Sequence, residues 1–247
     1  MADDYLTFFP QVPTGLRKGR SISEGYARGW GLQFNDLRSK VAQDPLYVEA
    51  SALCAGRTLV SEDNRMNLFL IIRFFLGRIP AGHVIEFGSY RGGTAVFMAH
   101  LAQRIHPGMQ VYALDTFAGM PPTDAAVDAH SEGDFKDTSL DELRTFAGKA
   151  GLTNLHLVKG LFEDTAPGVL RESGPIALAH IDCDIQSAVA YSYDVTKPAM
   201  VQGGYWVFDD ATYSSCLGAT EVVEDLVIRR DGRNSEQIFP QYVFRNC

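Results

Sequence analysis

Apolar residues first recur at helical intervals between residues 61 and 76, where Met66, Leu68, Leu70, Ile71 and Phe74 repeat with the spacing of one helix face. Ser61 followed by Glu62 and Asp63 marks the start of that helix. Residues 1–60 show no sustained period. Pro10, Pro13, Gly15 and Gly19 interrupt them, and only weakly helical patches appear between Ser23 and Gln43. This stretch reads as an N-terminal helical arm or lid, and residues 61–247 as the one folded domain.

After Pro80 the pattern changes to short apolar runs alternating with helical segments. Strands are expected at 83–87, 110–114, 155–158, 176–181 and 205–208, and helices at 92–105, 139–150, 187–201 and 217–229. The run at 176–181 is almost wholly apolar, as expected of a strand buried on both faces of a parallel sheet. Ser139, with Glu142 three residues on, or its neighbour Thr138 suits a helix cap. Residues 121–137 form a long polar loop. Two further short strands, 237–239 and 242–245, close the chain, with alternating apolar residues that suit an antiparallel end. The expected fold is therefore α/β, with a mostly parallel seven-stranded sheet, an antiparallel last strand and helices on both faces.

Composition narrows the function. The 247 residues are 46% hydrophobic and 21% charged, enough for a core that needs no disulfides. Net charge is −8, which disfavours nucleic acid and anionic membrane surfaces as partners. Cys54, Cys183, Cys216 and Cys247 follow no zinc-binding spacing and are expected as free thiols. No signal-peptide pattern and no apolar run long enough to cross a bilayer is visible, so the expected location is the cytoplasm.

Two constellations carry chemistry. The first expected strand runs into Glu86-Phe87-Gly88-Ser89-Tyr90-Arg91-Gly92-Gly93. In a doubly wound sheet ligands sit beyond the carboxyl ends of the strands, and glycines there let the backbone approach them. The run has no G-x-G, so it misses the NAD fingerprint. An acid ahead of the first glycine suits a ligand bearing an ammonium and a sulfonium better than a pyrophosphate. The alternative is that Gly88 and Gly92 only make a tight turn. Asp115 ends the next strand, where a carboxylate can bind ribose hydroxyls in either a dinucleotide or a methyl-donor fold.

The second constellation is His180-Ile181-Asp182-Cys183-Asp184 with Phe208-Asp209-Asp210. Four carboxylates then meet at the ends of neighbouring strands, which is unfavourable unless a cation neutralises them. All-oxygen donors suit magnesium, or manganese in its place. Asp182, Asp209 and Asp210 would hold the metal and leave positions for a substrate hydroxyl, and Asp184 would take the proton. The alternative is that these aspartates cap helices. His180, alone on a buried strand, reads as a supporting core residue on the same face as Asp182.

Together these motifs resemble the macrocin O-methyltransferase family, sugar methyltransferases of macrolide, aminocoumarin and related glycoside pathways. The match runs through Val84 to Gly93, Asp115-Thr116-Phe117-Ala118-Gly119-Met120-Pro121, Lys159-Gly160-Leu161-Phe162-Glu163-Asp164-Thr165, His180 to Asp184, and Gly203-Gly204 to Asp209-Asp210. It covers about three quarters of the chain. The resemblance implies a Rossmann-like class I methyltransferase fold that binds S-adenosylmethionine (SAM). It implies a magnesium ion at Asp182, Asp209 and Asp210, and a general base at Asp184. It implies SAM contacts at Glu86, Gly88, Ser89, Tyr90, Gly92, Asp115, Thr116 and Asp182, with Asp134 and Phe135 beside the nucleoside. The acceptor would be a small sugar or glycoside, methylated on a hydroxyl in natural-product tailoring, and the protein a homo-oligomer. The chain departs from the family after Asp184. Family members often carry a tyrosine and then an acid or serine there, and Ile185-Gln186-Ser187-Ala188 keeps only the serine. Two other functions fit less of the pattern, a catechol or phenol O-methyltransferase and an NAD-dependent sugar oxidoreductase.

Overall fold

A computed structural model describes residues 31–34 and 36–247. Tyr5, Phe8, Phe9, the breakers Pro10 to Gly19 and the start of the weakly helical patch at Ser23 lie outside the described residues.

Among the described residues, four α-helices precede the sheet, α1 (Gly31–Phe34), α2 (Leu37–Gln43), α3 (Pro45–Cys54) and α4 (Glu62–Phe74). The alternating region continues as β1 (His83–Phe87), α5 (Gly93–Ile105), β2 (Val111–Asp115), α6 (Leu140–Lys149), β3 (Leu155–Lys159), α7 (Phe162–Ser173), β4 (Ile176–Ile181), α8 (Gln186–Thr196) and β5 (Met200–Phe208). The last helix, α9, is α-helical over Leu217–Val222 and continues as a π-helix over Val223–Arg230, before β6 (Ser235–Gln237) and β7 (Tyr242–Arg245). The sheet order is β3-β2-β1-β4-β5-β7-β6. β1 to β5 pair in parallel, and β7 runs antiparallel to both β5 and β6. The order reverses between β1 and β4, which opens a crevice at their carboxyl ends.

Sequence chemistry explains the boundaries. Ser61 accepts the backbone N–H of Asn64 at 3.2 Å and Ser139 that of Glu142 at 3.3 Å, so both serines cap their helices. Strand side chains alternate between two cores. Val84, Leu178, Tyr205 and Val207 pack with α3, α4 and α5, whereas Ile85, Phe87, Ala179, Ile181, Trp206 and Phe208 face Tyr193 of α8 and Val223 of α9.

Several elements differ from expectation. The sequence shows no sustained period before Ser61, yet α3 is a full helix with Asp44 as its cap and Pro45 at its first position. Its Tyr47, Ala50 and Cys54 are buried, and they are too few to register as a period. Helix α7 has no counterpart among the expected helices. It contains Pro167, a residue that normally ends a helix, and its apolar face of Phe162, Ala166, Val169 and Leu170 packs on the second core with only Ala166 fully buried. β5 starts at Met200 rather than 205: Pro198 opens a short 3-10 turn after α8, and the parallel pairing with β4 shifts register between Ile176–Met200 and Leu178–Tyr205, where Gly203 and Gly204 lie. Both glycines are tightly packed, since a Cβ on Gly204 would stand 2.6 Å from Met200 Sδ. β6 sits two residues before its expected place.

The ends of α8 and α9 are tied by Asp231, which accepts from Tyr193 Oη (2.8 Å), Lys197 Nζ (2.9 Å) and Arg230 Nε (2.8 Å). The Arg230 hydrogen bond, followed by those from Lys197 and Tyr193, holds this carboxyl well below the usual range. We expect Asp231→Asn to destabilise the protein by about 1–2 kcal/mol at pH 7, near the low end for charged hydrogen bonds at a partly solvated site. A depressed folded pKa gives stability that is present above the unfolded carboxyl pKa of about 4 and lost as pH falls below it. Urea unfolding at pH 7 and pH 3 should therefore show the gap between wild type and variant shrinking in acid. An unchanged gap would rule out the ionised carboxylate as its source.

Candidate active site

The loop after β1 is drawn tight by three strands. Gly88 has φ +86°, and a Cβ there would stand 1.8 Å from the Asp182 carbonyl oxygen, so no side chain fits. Gly88 N–H donates to Leu114 O at 3.0 Å and Asp182 N–H to Phe87 O at 2.9 Å. Asp115 Oδ2 accepts the backbone N–H groups of Ser89 (2.7 Å) and Tyr90 (2.8 Å), and Oδ1 accepts that of Phe117 (2.6 Å). One carboxylate thus shapes both the first and second strand loops, leaving part of its acceptor capacity toward the cavity. Tyr90, Phe117 and Phe135 all adopt left-handed backbone, with φ of 50°, 47° and 58°. Strain of this kind concentrates at ligand sites. Tyr90 packs edge-on against Phe135 with ring centres 5.6 Å apart.

Across the crevice, oxygen atoms of Asp182, Asp209 and Asp210 all lie within 4.8 Å of one another. Burial, then the neighbouring carboxylates, pushes the Asp182 and Asp210 carboxyls well above their usual range. Three carboxylate side chains crowded at one point are a fitting cradle for a hard divalent cation. Asp209 is anchored from behind. Its Oδ1 accepts from Asn64 Nδ2 at 3.0 Å and from Gln241 Nε2, and His180 Nε2 lies 3.4 Å away. His180 Nδ1 meets Glu86 Oε1 at 3.1 Å, and Glu86 Oε2 accepts from Ser89 Oγ at 2.8 Å. Burial alone would lower the His180 pKa, but hydrogen bonds with Asp209 and Glu86 outweigh it and raise it to about 9. An imidazolium therefore donates to two carboxylates, linking the β1 loop to the acidic cluster through a buried Ser89–Glu86–His180–Asp209 chain.

Asp184 comes next at φ 60°, its N–H donating to Asp210 Oδ2 at 2.9 Å. Its Oδ1 accepts from Cys216 Sγ at 3.4 Å and lies 3.6 Å from His130 Nε2. Burial raises its pKa, against the charge of His130 and the Cys216 hydrogen bond, which lower it. His130 Nδ1 in turn lies 3.3 Å from Asp134 Oδ2.

These groups surround one cavity of about 600 Å³, a size suited to a small-molecule ligand. Gly88, Ser89, Tyr90, Asp115, Thr116, Phe135, Asp182, Asp184, Asp209 and Asp210 line it. Glu86 stands behind the wall, fully buried. Gly92 faces away as well, since a Cβ there would meet Leu143 Cδ2 at 2.3 Å. Asp134 is reached through His130. The sequence pattern did not single out His130, Cys216, Asn64 or Gln241, which come from four separate segments. The one local signal was a histidine four residues ahead of Asp134 in the polar loop.

The fold has solved counterparts. The chain superposes on the O-methyltransferase NovP with a TM-score of 0.68 and 21% identity, over 77% of this chain and 82% of that one. It superposes on the calicheamicin methyltransferase CalS11 at 0.67 and 18% identity, over 85% of this chain and 89% of that one. A β1–β4 crevice on a seven-stranded sheet with an antiparallel β7 is thus the Rossmann-like fold of class I methyltransferases. The sequence then places it more narrowly. The macrocin O-methyltransferase (TylF) family matches residues 55–229, and the chain belongs to that family. It is an O-methyltransferase, of the class that draws its methyl group from SAM. A relative in Streptomyces olivaceus, 8-demethyl-8-(2,3-dimethoxy-alpha-L-rhamnosyl)-tetracenomycin-C 4'-O-methyltransferase, is 26% identical over 186 residues, 71% of this chain and 70% of that protein.

Proposed function

We propose that this protein methylates a sugar hydroxyl of a natural-product glycoside, using SAM and a divalent cation, magnesium or manganese. The observation that carries the reading is the crowding of Asp182, Asp209 and Asp210 at the strand ends, beside a cavity bounded by the Asp115-organised loops. Asp182, Asp209 and Asp210 would hold the cation, and a metal in such a cradle lowers the pKa of a hydroxyl bound to it. Ser89, Tyr90, Asp115, Thr116 and Phe135 would bind SAM, with Glu86 acting through Ser89. Asp184 accepts the proton of the acceptor hydroxyl at its free carboxylate oxygen. Its left-handed backbone turns it into the cavity beside the acidic cluster. Holding acceptor oxygen and methyl donor in one cavity supplies much of the rate, since such positioning can be worth about 7–11 kcal/mol.

The cavity mouth bears on the acceptor. Leu59, Leu161 and Tyr213 line it yet are 72%, 44% and 41% exposed. An apolar collar of this kind suits a sugar carried on an apolar aglycone. Residues 1–60, which reach the cavity wall through Thr58 and Leu59, are read as the arm that covers this acceptor. In the same reading the enzyme works in the cytoplasm as a homo-oligomer; among the described residues no helix is long and apolar enough to cross a membrane.

Calorimetric titration of the apo protein with SAM, S-adenosylhomocysteine and NAD, with and without magnesium, tests the cofactor. Micromolar binding of both adenosyl ligands, and none of NAD, is the expected result. NAD binding alone would replace the reading with an oxidoreductase. Deoxysugar glycosides assayed beside catechols then test the acceptor, and turnover of catechols alone would overturn the sugar assignment.

A further inference from the structure

His130, Asp184 and Cys216 meet at one point of the cavity wall, apart from the three carboxylates of the acidic cluster. They come from the loop after β2, the end of β4 and the start of α9. Their facing atoms are His130 Nε2, Asp184 Oδ1 and Cys216 Sγ, separated by 3.6 Å (N to O), 3.4 Å (S to O) and 3.9 Å (N to S). A tetrahedral zinc ion with bonds of about 2.0 Å to N and O and 2.3 Å to S needs separations of about 3.3, 3.5 and 3.5 Å. The triad thus matches a tetrahedral ion to within about 0.4 Å on every edge.

A second feature supports the match. His130 Nδ1 faces Asp134 Oδ2 at 3.3 Å, which leaves Nε2 toward Asp184 and Cys216. Carboxylate–histidine pairs of this form orient imidazoles at zinc sites. With Nδ1 donating to Asp134, the Nε2 lone pair points at the Asp184 carboxylate, an arrangement that needs a proton or a cation between them. All three groups line the cavity, so a fourth position is open to solvent or ligand.

We infer that His130, Asp184 and Cys216 form a second cation site, selective for a soft divalent ion such as zinc, distinct from the hard-cation cradle of Asp182, Asp209 and Asp210. A thiolate and an imidazole favour zinc over magnesium, and the all-oxygen cradle has the reverse preference. Burial, partly offset by the Ser215 hydrogen bond, pushes the empty-site Cys216 thiol up to about 12. Ion binding therefore releases the Cys216 proton to solvent as the sulfur becomes a thiolate. An ion held there occupies Asp184, so zinc reversibly inhibits the enzyme. The inhibition rests on the proposed role of Asp184 as base, whereas the binding rests on geometry alone.

Cobalt(II) is the probe, titrated into the full-length protein in saturating magnesium. The expected result is one bound ion with a thiolate-to-cobalt charge-transfer band in the near ultraviolet, displaced by one equivalent of zinc. Cys216→Ser should abolish the band, while Cys183→Ser, at a neighbouring residue whose side chain is buried in the second core, should keep it. His130→Gln changes a partly exposed side chain and guards against a misfolded Cys216 variant. It should weaken cobalt at least about tenfold, since even the loss of an outer partner costs 10–100-fold. No thiolate band, a band that survives Cys216→Ser, or wild-type affinity in His130→Gln would each overturn the site. Zinc binding without inhibition would leave the site intact and remove Asp184 from the chemistry.

Discussion

Asp184→Asn is expected to lower kcat by about 10²–10⁴-fold, the usual contribution of a positioned general base. The substitution is a clean one here. Asn tolerates the left-handed backbone that Asp184 occupies at φ 60°, so the turn after β4 should survive. The backbone N–H that donates to Asp210 is untouched, and the amide oxygen can still accept from Cys216. What is lost is a carboxylate that can take a proton. Burial holds this acid above its usual range and so makes it a stronger base than an exposed aspartate. S-adenosylhomocysteine binding, measured by calorimetry, should stay within about twofold of wild type, because the loops proposed to bind the methyl donor are organised by Asp115. Wild-type turnover would eliminate Asp184 as the base. Parallel loss of turnover and adenosyl binding would instead assign it a structural role.

Asp209→Ala should have a larger effect on the molecule as a whole. It is expected to abolish the rise in Tm that the proposed magnesium site predicts for the wild type and to destabilise the metal-free protein by about 3 kcal/mol. The metal-free loss has two opposed parts. Removing Asp209 leaves His180 with one counter-charge and leaves Asn64 and Gln241 without their shared acceptor, all in a buried setting. Breaking a buried charged pair in this way costs about 3–5 kcal/mol. Against that, repulsion on Asp182 and Asp210 is relieved. Asp209→Asn, which keeps an acceptor oxygen, should recover part of the stability but not the magnesium response. Thermal melts with and without magnesium measure both quantities. A variant as stable as wild type, or one still stabilised by magnesium, would show that Asp209 is neither the anchor of the cluster nor a ligand.

The reach of the sequence differs between the two halves of the site. Strand ends are legible because buried parallel strands are short apolar runs, and the residues just after each run must lie at the crevice. β1 at His83–Phe87 and β4 at Ile176–Ile181 fall where the pattern puts them. Counting strands is therefore enough to bring Gly88, Asp115, Asp182, Asp184, Asp209 and Asp210 together, without knowledge of any contact. Helix α7 escapes the pattern because Pro167 stands inside it and reads as a breaker, although Phe162, Ala166, Val169 and Leu170 recur at helical spacing and pack on the core.

The order of the strands along the chain and the residues that follow β1, β2, β4 and β5 were determined by the sequence alone, since both depend on short-range pattern. Tertiary structure alone decided which of those residues touch. Glu86 turned out to be a buried partner of Ser89 and His180 rather than a cavity wall, because strand alternation sets a face but not what covers it. Asp115 spends most of its acceptors on backbone N–H groups of two loops, which no spacing rule encodes. The meeting of His130, Asp184 and Cys216 joins residues 54 and 32 positions apart, from three segments. Contacts of that range depend on how the sheet twists and how loops pack over it, and a one-dimensional pattern carries no record of either.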